Sequence, residues 1–297
     1  MKSTEVIIVG GGPAGMTAAI QLKRYGLDPL LFESRRLGGL LWNANLVENY
    51  PGFPGGIPGP ALVERISRQF TNLEIRHRIE TVTQVDHDGS TFLVQTVKEV
   101  FNASGLVLAT GTRPMTFPPE MIPAEAADRV FYEVYDLAEM QDGRVAIIGA
   151  GDAAFDYALN LAQRNNRVWI LNRSAEVKAL PLLVERVSQD DRITYLENIT
   201  LTGIHLEEEK LLVGTVDGNG KTAYKVDALL GAIGRSPNWP ERSKRLIANE
   251  TYLQSSGALH MIGDLYNGIY RQTAISVGDG LKAAMKFYKF LNEEDKL

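Results

Sequence analysis

Two stretches of this sequence leave the chain little freedom. Glu5-Val6-Ile7-Ile8-Val9 is a β-branched apolar run of the kind buried in parallel sheets, and Gly10-Gly11-Gly12-Pro13-Ala14-Gly15 follows it as G-x-G-x-x-G. Residues 16–25 read as a helix stopped by Gly26, and residues 29–32 read as the next strand, ending at Glu33. Glu33 lies 18 positions beyond Gly15, close to the ~20 at which a dinucleotide-binding βαβ unit carries the acid that accepts from ribose hydroxyls. Each glycine has a reason. Gly10 allows the tight turn, Gly12 lets backbone approach a pyrophosphate, and Gly15 allows close packing of helix on strand. The helix N-terminus that follows Pro13 and Ala14 then faces the phosphates with its unpaired N–H groups.

The unit occurs again. Residues 144–148 form a strand, Gly149-Ala150-Gly151-Asp152-Ala153-Ala154 is G-x-G-x-x-A, residues 155–163 are helical, and residues 168–171 are the next strand. The fingerprints begin at 10 and 149, so two nucleotide-binding units lie 139 residues apart. At the position of Glu33 the second unit has Asn172, followed by Arg173. An acid there favours a free 2′-hydroxyl and an Arg accommodates a 2′-phosphate, so the second site leans towards NADPH, with Arg173 and Lys178 as phosphate partners. The alternative for Arg173 is a solvated surface charge.

Composition narrows the field. A chain of 297 residues accommodates about two domains. A net charge of −5 argues against a nucleic-acid binder, and no apolar run approaches a membrane span or a signal-peptide core, which makes the cytoplasm the expected location. The C-terminal Glu294-Asp295-Lys296-Leu297 matches no receptor-read address. Four histidines, at 77, 87, 205 and 260, lack metal-ligand spacing, so no metal site is expected. The cysteine count is zero. That excludes a disulfide, a thiolate nucleophile, a Cys-ligated metal and a dithiol redox centre.

Further segments have the same character. Residues 106–111 form a strand ending in Ala109-Thr110-Gly111, and residues 259–264 one ending in Gly263-Asp264. Residues 73–101 and 193–233 read as β-rich layers, the latter turning at residues 217–220, and residues 271–291 as a final helix weakened by Gly278 and Gly280. Pro51 to Pro60 reads as a stiff loop.

With residues 10–15, Gly38-Gly39, Val47-Glu48-Asn49-Tyr50-Pro51-Gly52, Ala109-Thr110-Gly111, residues 149–154, residues 231–238, Gly263-Asp264 and residues 270–274, the chain resembles the low-molecular-weight thioredoxin reductases and the thioredoxin reductase-like ferredoxin–NADP reductases over nearly its whole length. The resemblance implies an α/β fold of two Rossmann-like, three-layer ββα nucleotide-binding domains, the second inserted in the first. Residues 1–115 and 238–297 would form the FAD domain and residues 116–237 the NAD(P)H domain. It also implies a homodimer. FAD would contact Gly10, Gly12, Pro13, Ala14, Gly15, Glu33, Gly39, Leu40, Asn49, Thr110, Gly111, Gly263, Asp264, Gln272, Thr273 and Ala274. NAD(P)H would contact Gly149, Gly151, Asp152, Ala153, Ala154, Asn172, Arg173 and Lys178.

The departures are as informative. Thioredoxin reductases carry C-x-x-C-Asp before the second glycine motif, where this chain has Tyr132-Glu133-Val134-Tyr135-Asp136. A phenol cannot perform thiolate exchange. An FAD-dependent NAD(P)H oxidoreductase is therefore expected to pass electrons straight from flavin to ferredoxin, flavodoxin or a small-molecule acceptor. Alternatives are a diflavin electron-transfer protein that does not use NAD(P)H, or a peroxide-forming NAD(P)H oxidase. Of the family's three-Arg motif only Arg173 and Lys178 remain, which leaves NADH, or a second FAD, open for that site. Catalysis would centre on the flavin with no acid–base side chain, and Tyr50 and Tyr135 are the candidates to lie beside it. Trp42, Tyr132 and those two tyrosines are alternatively plain packing residues. Arg35-Arg36 and Arg76-His77-Arg78 are either a docking surface for an acidic partner or solvated charges.

Overall fold

Alternation within single strands dictates the layering. In a computed structural model describing residues 2–294, the first strand, Lys2–Val9, buries Val6 and Ile8 against helices and Ile7 and Val9 against a second β layer. A strand apolar on both faces must be covered on both, which is why Glu5-Val6-Ile7-Ile8-Val9 shows no polar alternation. Residues 295–297 lie outside the described residues.

The chain divides into two compact units, one of residues 1–42, 47–113 and 237–297, the other of residues 43–46 and 114–236. In the first, Lys2–Val9 sits between Leu30–Glu33 and Val100–Leu108, all parallel, with Arg76–Ile79 on one edge and Leu259–Met261 joined to Leu106, Val107 and Leu108. The first half of Val100–Leu108 also pairs antiparallel with Phe92–Thr96, which pairs with Val82–His87. One strand thus belongs to both β layers. The helices Pro13–Arg24 and Thr273–Glu294 cover the other face and press together where a Cβ on Gly280 would lie 2.4 Å from the Ala14 carbonyl oxygen. Gly280 is therefore the means of close approach between two helices, although glycine there weakens the helix itself.

The second unit repeats the plan. Ile193–Leu196, Arg167–Leu171, Arg144–Ile148, Ala228–Gly231 and Val130–Phe131 form a parallel sheet in that order. Val145 and Ile147 face the helices Asp152–Ala162 and Pro181–Ser188, while Ala146 faces the antiparallel strands Thr200–Glu207, Lys210–Asp217 and Gly220–Val226. Each unit is therefore parallel sheet, antiparallel layer and helices. Glu208 and Glu209, both at positive φ, form the turn between the first two antiparallel strands.

Three features depart from the sequence reading. Helix Gly59–Asn72 begins inside the Pro-Gly run, because a proline in the first helical turn fits a helix start as well as a loop. The first helix begins at Pro13 rather than Met16 for the same reason. Residues 43–46 group with the second unit, held there by Asn43, whose amide oxygen accepts from the Tyr135 N–H at 3.0 Å and whose amide nitrogen donates to Glu133 at 2.8 Å.

His260 lies in the middle of strand Leu259–Met261, 8% exposed, with no hydrogen-bond partner for Nε2. Burial, reinforced by Lys286, depresses its pKa from 6.5 to about 4, against a raising hydrogen bond to Gly257. The unfolded chain therefore binds a proton below about pH 6.5 that the folded chain refuses until about pH 4. Folding stability should fall through that window by up to about 3 kcal/mol as pH decreases. Urea denaturation of the wild type and of His260→Gln between those pH values checks this. The variant should lose most of the slope, and an unchanged slope would assign it to other groups.

Candidate functional site

At the first glycine turn the backbone comes closer than any side chain permits. Gly10, at φ +110°, would place a Cβ 2.2 Å from the Ala109 carbonyl oxygen, and Gly15 would place one 1.9 Å from the Gly10 oxygen. Gly12 differs: the nearest atom to its virtual Cβ is the Cα of Gly39 at 3.9 Å, so space lies open above it. Helix Pro13–Arg24 starts there without a side-chain cap, leaving first-turn N–H groups for an anion. The Gly38 N–H donates to the Gly11 oxygen at 2.8 Å, folding residues 34–39 back over the turn and bringing Gly39 against Gly12. Leu40 follows, half-buried in a short 3₁₀ turn.

Glu33 ends its strand beside this turn. One carboxylate oxygen accepts from the Gly11 N–H at 2.8 Å and the other from Arg35 N–H at 2.9 Å, so it braces the glycine loop as well as offering acceptors. From the end of Val100–Leu108 comes Thr110, whose hydroxyl oxygen is buried with no partner, and Gly111, at φ +64°, with nothing within 4 Å of its virtual Cβ. Gly263, at φ +66°, packs onto Ala14, and the next residue, Asp264, accepts from the Ser276 hydroxyl at 3.3 Å. Asn49 donates to Gln272 at 2.7 Å, joining two candidate residues 223 positions apart. Gln272, Thr273 and Ala274 lie at the start of the 22-residue C-terminal helix, and Arg271 just before it has a buried Nε with no acceptor. Tyr50 is half-buried and packs on Phe53, 6.1 Å between ring centroids.

The orphaned Thr110 and Arg271 atoms, the uncapped helix start and the open ground at Gly12 and Gly111 fit a phosphate-bearing dinucleotide. One residue here was missed in the sequence. Asp279 accepts from the Gly263 N–H at 3.2 Å and from the Asn267 amide at 2.6 Å, holding the turn that carries Asp264. Its only hint was a charged residue between two glycines in a helix.

The second turn follows the same rule. Gly149, at φ +128°, would set a Cβ 2.3 Å from the Ala232 oxygen, and nothing lies within 4 Å of one on Gly151. Ala153 is exposed at the helix start and Ala154 buried beneath it. Residues after the following strand fold back onto this turn. Lys178 N–H donates to the Ala150 oxygen at 3.0 Å, Gly151 and Lys178 form a parallel bridge, and Asp152 accepts from Leu180 N–H at 2.8 Å. Asn172 is 5% exposed and spends its amide inside this loop, donating to the Glu176 oxygen at 2.9 Å and the Tyr195 hydroxyl at 3.0 Å and accepting from Ser174 N–H at 3.3 Å. It shapes the loop. Arg173 and Lys178 are exposed on it.

Tyr132 is a packing residue. Its hydroxyl accepts from Phe117 N–H at 2.9 Å, its ring fills the space above Gly231, and burial pushes its phenol up. Tyr135 is half-buried in a 3₁₀ turn. Between them, Glu133 is 14% exposed and its carboxylate meets Arg235 Nη1 at 2.8 Å and Asn43 Nδ2 at 2.8 Å. This half-buried cluster was invisible in the sequence because the partners of Glu133 lie 90 and 102 positions away. Among the described residues no cluster of three His, Asp or Glu is arranged for a metal, and no helix is long and apolar enough to cross a membrane.

Truncation of Asp279 to Ala leaves the Gly263 N–H and the Asn267 amide without their acceptor, a loss of about 1–3 kcal/mol. Dinucleotide affinity of the first unit should fall roughly tenfold, with Asp279→Asn closer to wild type, as followed by titration of the apoprotein. Unchanged affinity in Asp279→Ala would remove Asp279 from the site.

Residues 4–280 match the pyridine nucleotide-disulphide oxidoreductase family. Thioredoxin reductase of Mycolicibacterium smegmatis is 30% identical over 312 aligned residues, covering 98% of this chain and 97% of that protein. The crystal structure of Lactococcus lactis thioredoxin reductase superposes with a TM-score of 0.83 at 26% identity, covering 98% of this chain and 99% of that one. The T. acidophilum enzyme shares the fold at a TM-score of 0.81 and 23% identity. The thioredoxin reductase-like family uses FAD and NADPH. The chain belongs to the pyridine nucleotide-disulphide oxidoreductase family, as a thioredoxin reductase-like member without cysteine.

Proposed function

We propose that this protein is an FAD-dependent NAD(P)H oxidoreductase that binds FAD at the first glycine turn and NAD(P)H at the second, and hands electrons directly to an external acceptor. The observation carrying the reading is the pairing of two open glycine turns with a cysteine count of zero. When bound, FAD accepts hydride from the nicotinamide and passes electrons on singly or in pairs. The residues present fit that group, with an uncapped helix start, open ground at Gly12 and Gly111, and buried polar atoms of Thr110 and Arg271 that lack partners.

Uncapped N–H groups at Pro13–Arg24 take the pyrophosphate, and Glu33 accepts from the adenosine ribose. Asp264, steadied by Ser276 and by the Asp279-held turn, serves the ribityl–pyrophosphate stretch. Asn49 and Gln272 hold each other in place, so the two amides act as one unit towards the isoalloxazine. The N–H groups opening the C-terminal helix at Thr273 stabilise negative charge by about 0.3–1 kcal/mol, more where water is excluded. None of these groups donates a catalytic proton. Their work is binding and tuning of potential.

Where thioredoxin reductases carry a dithiol, Tyr132 is locked by Phe117 and Gly231 and supplies no redox group. Electrons must therefore leave from the flavin itself, to a ferredoxin- or flavodoxin-like protein or a small acceptor. The second turn takes NAD(P)H, and the exposed Arg173 and Lys178 beside it attract a 2′-phosphate.

Anaerobic stopped-flow mixing of the holoprotein with NADPH tests the reading. Rapid bleaching of the flavin absorbance followed by reoxidation on adding ferredoxin, flavodoxin or a quinone is the expected result. Failure of both NADPH and NADH to bleach it would end the proposal, and two flavins per chain would move the second site to a diflavin protein. Pretreatment with iodoacetamide should leave turnover unchanged, because no thiol is present to alkylate.

A further inference from the structure

The second nucleotide site has its acid in an unusual place. In a βαβ unit the strand after the glycine helix ends on the residue that reads the ribose 2′-position. Here that residue is Asn172, 5% exposed, with both amide hydrogens spent on Glu176 O and Tyr195 and its oxygen turned to Ser174 N–H, so it is held inside the loop and away from a ribose. The loop it shapes carries three charges, Arg173, Glu176 and Lys178, all exposed. Backbone contacts fasten that loop to the glycine turn: Lys178 bridges to Gly151 and donates to Ala150, and Asp152 receives Leu180 N–H. The Glu176 backbone is itself fixed, through its oxygen, by Asn172. Its carboxylate lies 3.9 Å from Lys178 Nζ, an exposed and loose pair that either side chain can leave.

We propose that Glu176 sets the pyridine-nucleotide preference of this site, accepting from the free 2′-hydroxyl of NADH and opposing the 2′-phosphate of NADPH that Arg173 and Lys178 attract, so that both nucleotides are used. The inference rests on the reading of the second turn as a pyridine-nucleotide site. Its physics is charge arithmetic. A 2′-phosphate brings close to two negative charges into a loop whose net charge is only +1, from Arg173 and Lys178 less Glu176. Glu176 also competes with the phosphate for Lys178. A ribose carrying a free hydroxyl meets no such opposition and gains an acceptor. Removing one like charge from this solvated loop changes affinity by roughly five-fold, the scale of two unit charges ~4 Å apart in water, and added salt weakens the effect.

The test is calorimetric titration of the FAD-loaded protein with 2′,5′-ADP and with 5′-AMP, alongside stopped-flow flavin reduction by NADPH and NADH. The wild type should bind both fragments with affinities within roughly tenfold of each other. Glu176→Gln should tighten 2′,5′-ADP about five-fold and weaken 5′-AMP, and Glu176→Arg should extend the same trend. Arg173→Ala should weaken 2′,5′-ADP tenfold or more and leave 5′-AMP nearly unchanged. Raising salt from about 0.1 M to about 0.5 M should shrink the gain in Glu176→Gln. If both fragments bind but the Glu176 variants leave their ratio unchanged, the role of Glu176 is refuted while the nucleotide site stands. If neither fragment binds the wild type, both the role and the reading beneath it fall.

Discussion

A backbone contact that no β-carbon tolerates organises each half of this molecule. Gly10 against the Ala109 oxygen and Gly149 against the Ala232 oxygen, at virtual Cβ distances of 2.2 and 2.3 Å, bring the turns after Lys2–Val9 and Arg144–Ile148 flush with the ends of the parallel strands paired beside them, Val100–Leu108 and Ala228–Gly231. The same glycines hydrogen-bond to the end of the neighbouring strand, Gly10 N–H to Phe32 and Gly149 N–H to Leu171. Only from that position does the following helix point its unpaired N–H groups into open space above Gly12 and Gly151. Steric exclusion thus sets the binding surface, and side chains at the strand ends decide what it reads.

Those side chains differ between the halves. In the first unit Glu33 remains at the rim, tied to Gly11. In the second its counterpart, Asn172, has been drawn inward as a loop brace, and charge has moved out to residues 173–178. One scaffold therefore presents two different strand ends beside its glycine turns, an acid at the rim in one and an inward amide in the other.

The glycine turns, both β-rich layers and the place of Glu33 at its strand end were legible in the sequence because they depend on local sterics and short spacings. Asp279, the Asn49–Gln272 pair and the Glu133–Arg235 ion pair were not, since each is a contact across many positions with no periodic signal. Asn172 was misleading for a different reason: its spacing marks a position in the fold, and burial alone determines that its amide turns to the loop. Helix Gly59–Asn72 hid behind proline and glycine, which open helices as readily as they form loops. Tyr132 and Tyr135 were recognisable as replacements for sulfur, yet only the Phe117 and Gly231 contacts reveal the first as a packing residue.

The central claim is a flavin reductase whose electrons have no protein way-station. Anaerobic reductive titration of the holoprotein measures that directly, by counting electrons taken up against bound FAD. Uptake of two electrons per chain, with one FAD and a single transition, is the predicted result. Uptake of four electrons per FAD, the capacity of a flavin coupled to a dithiol, or reduction that leaves the flavin spectrum unchanged, would contradict it.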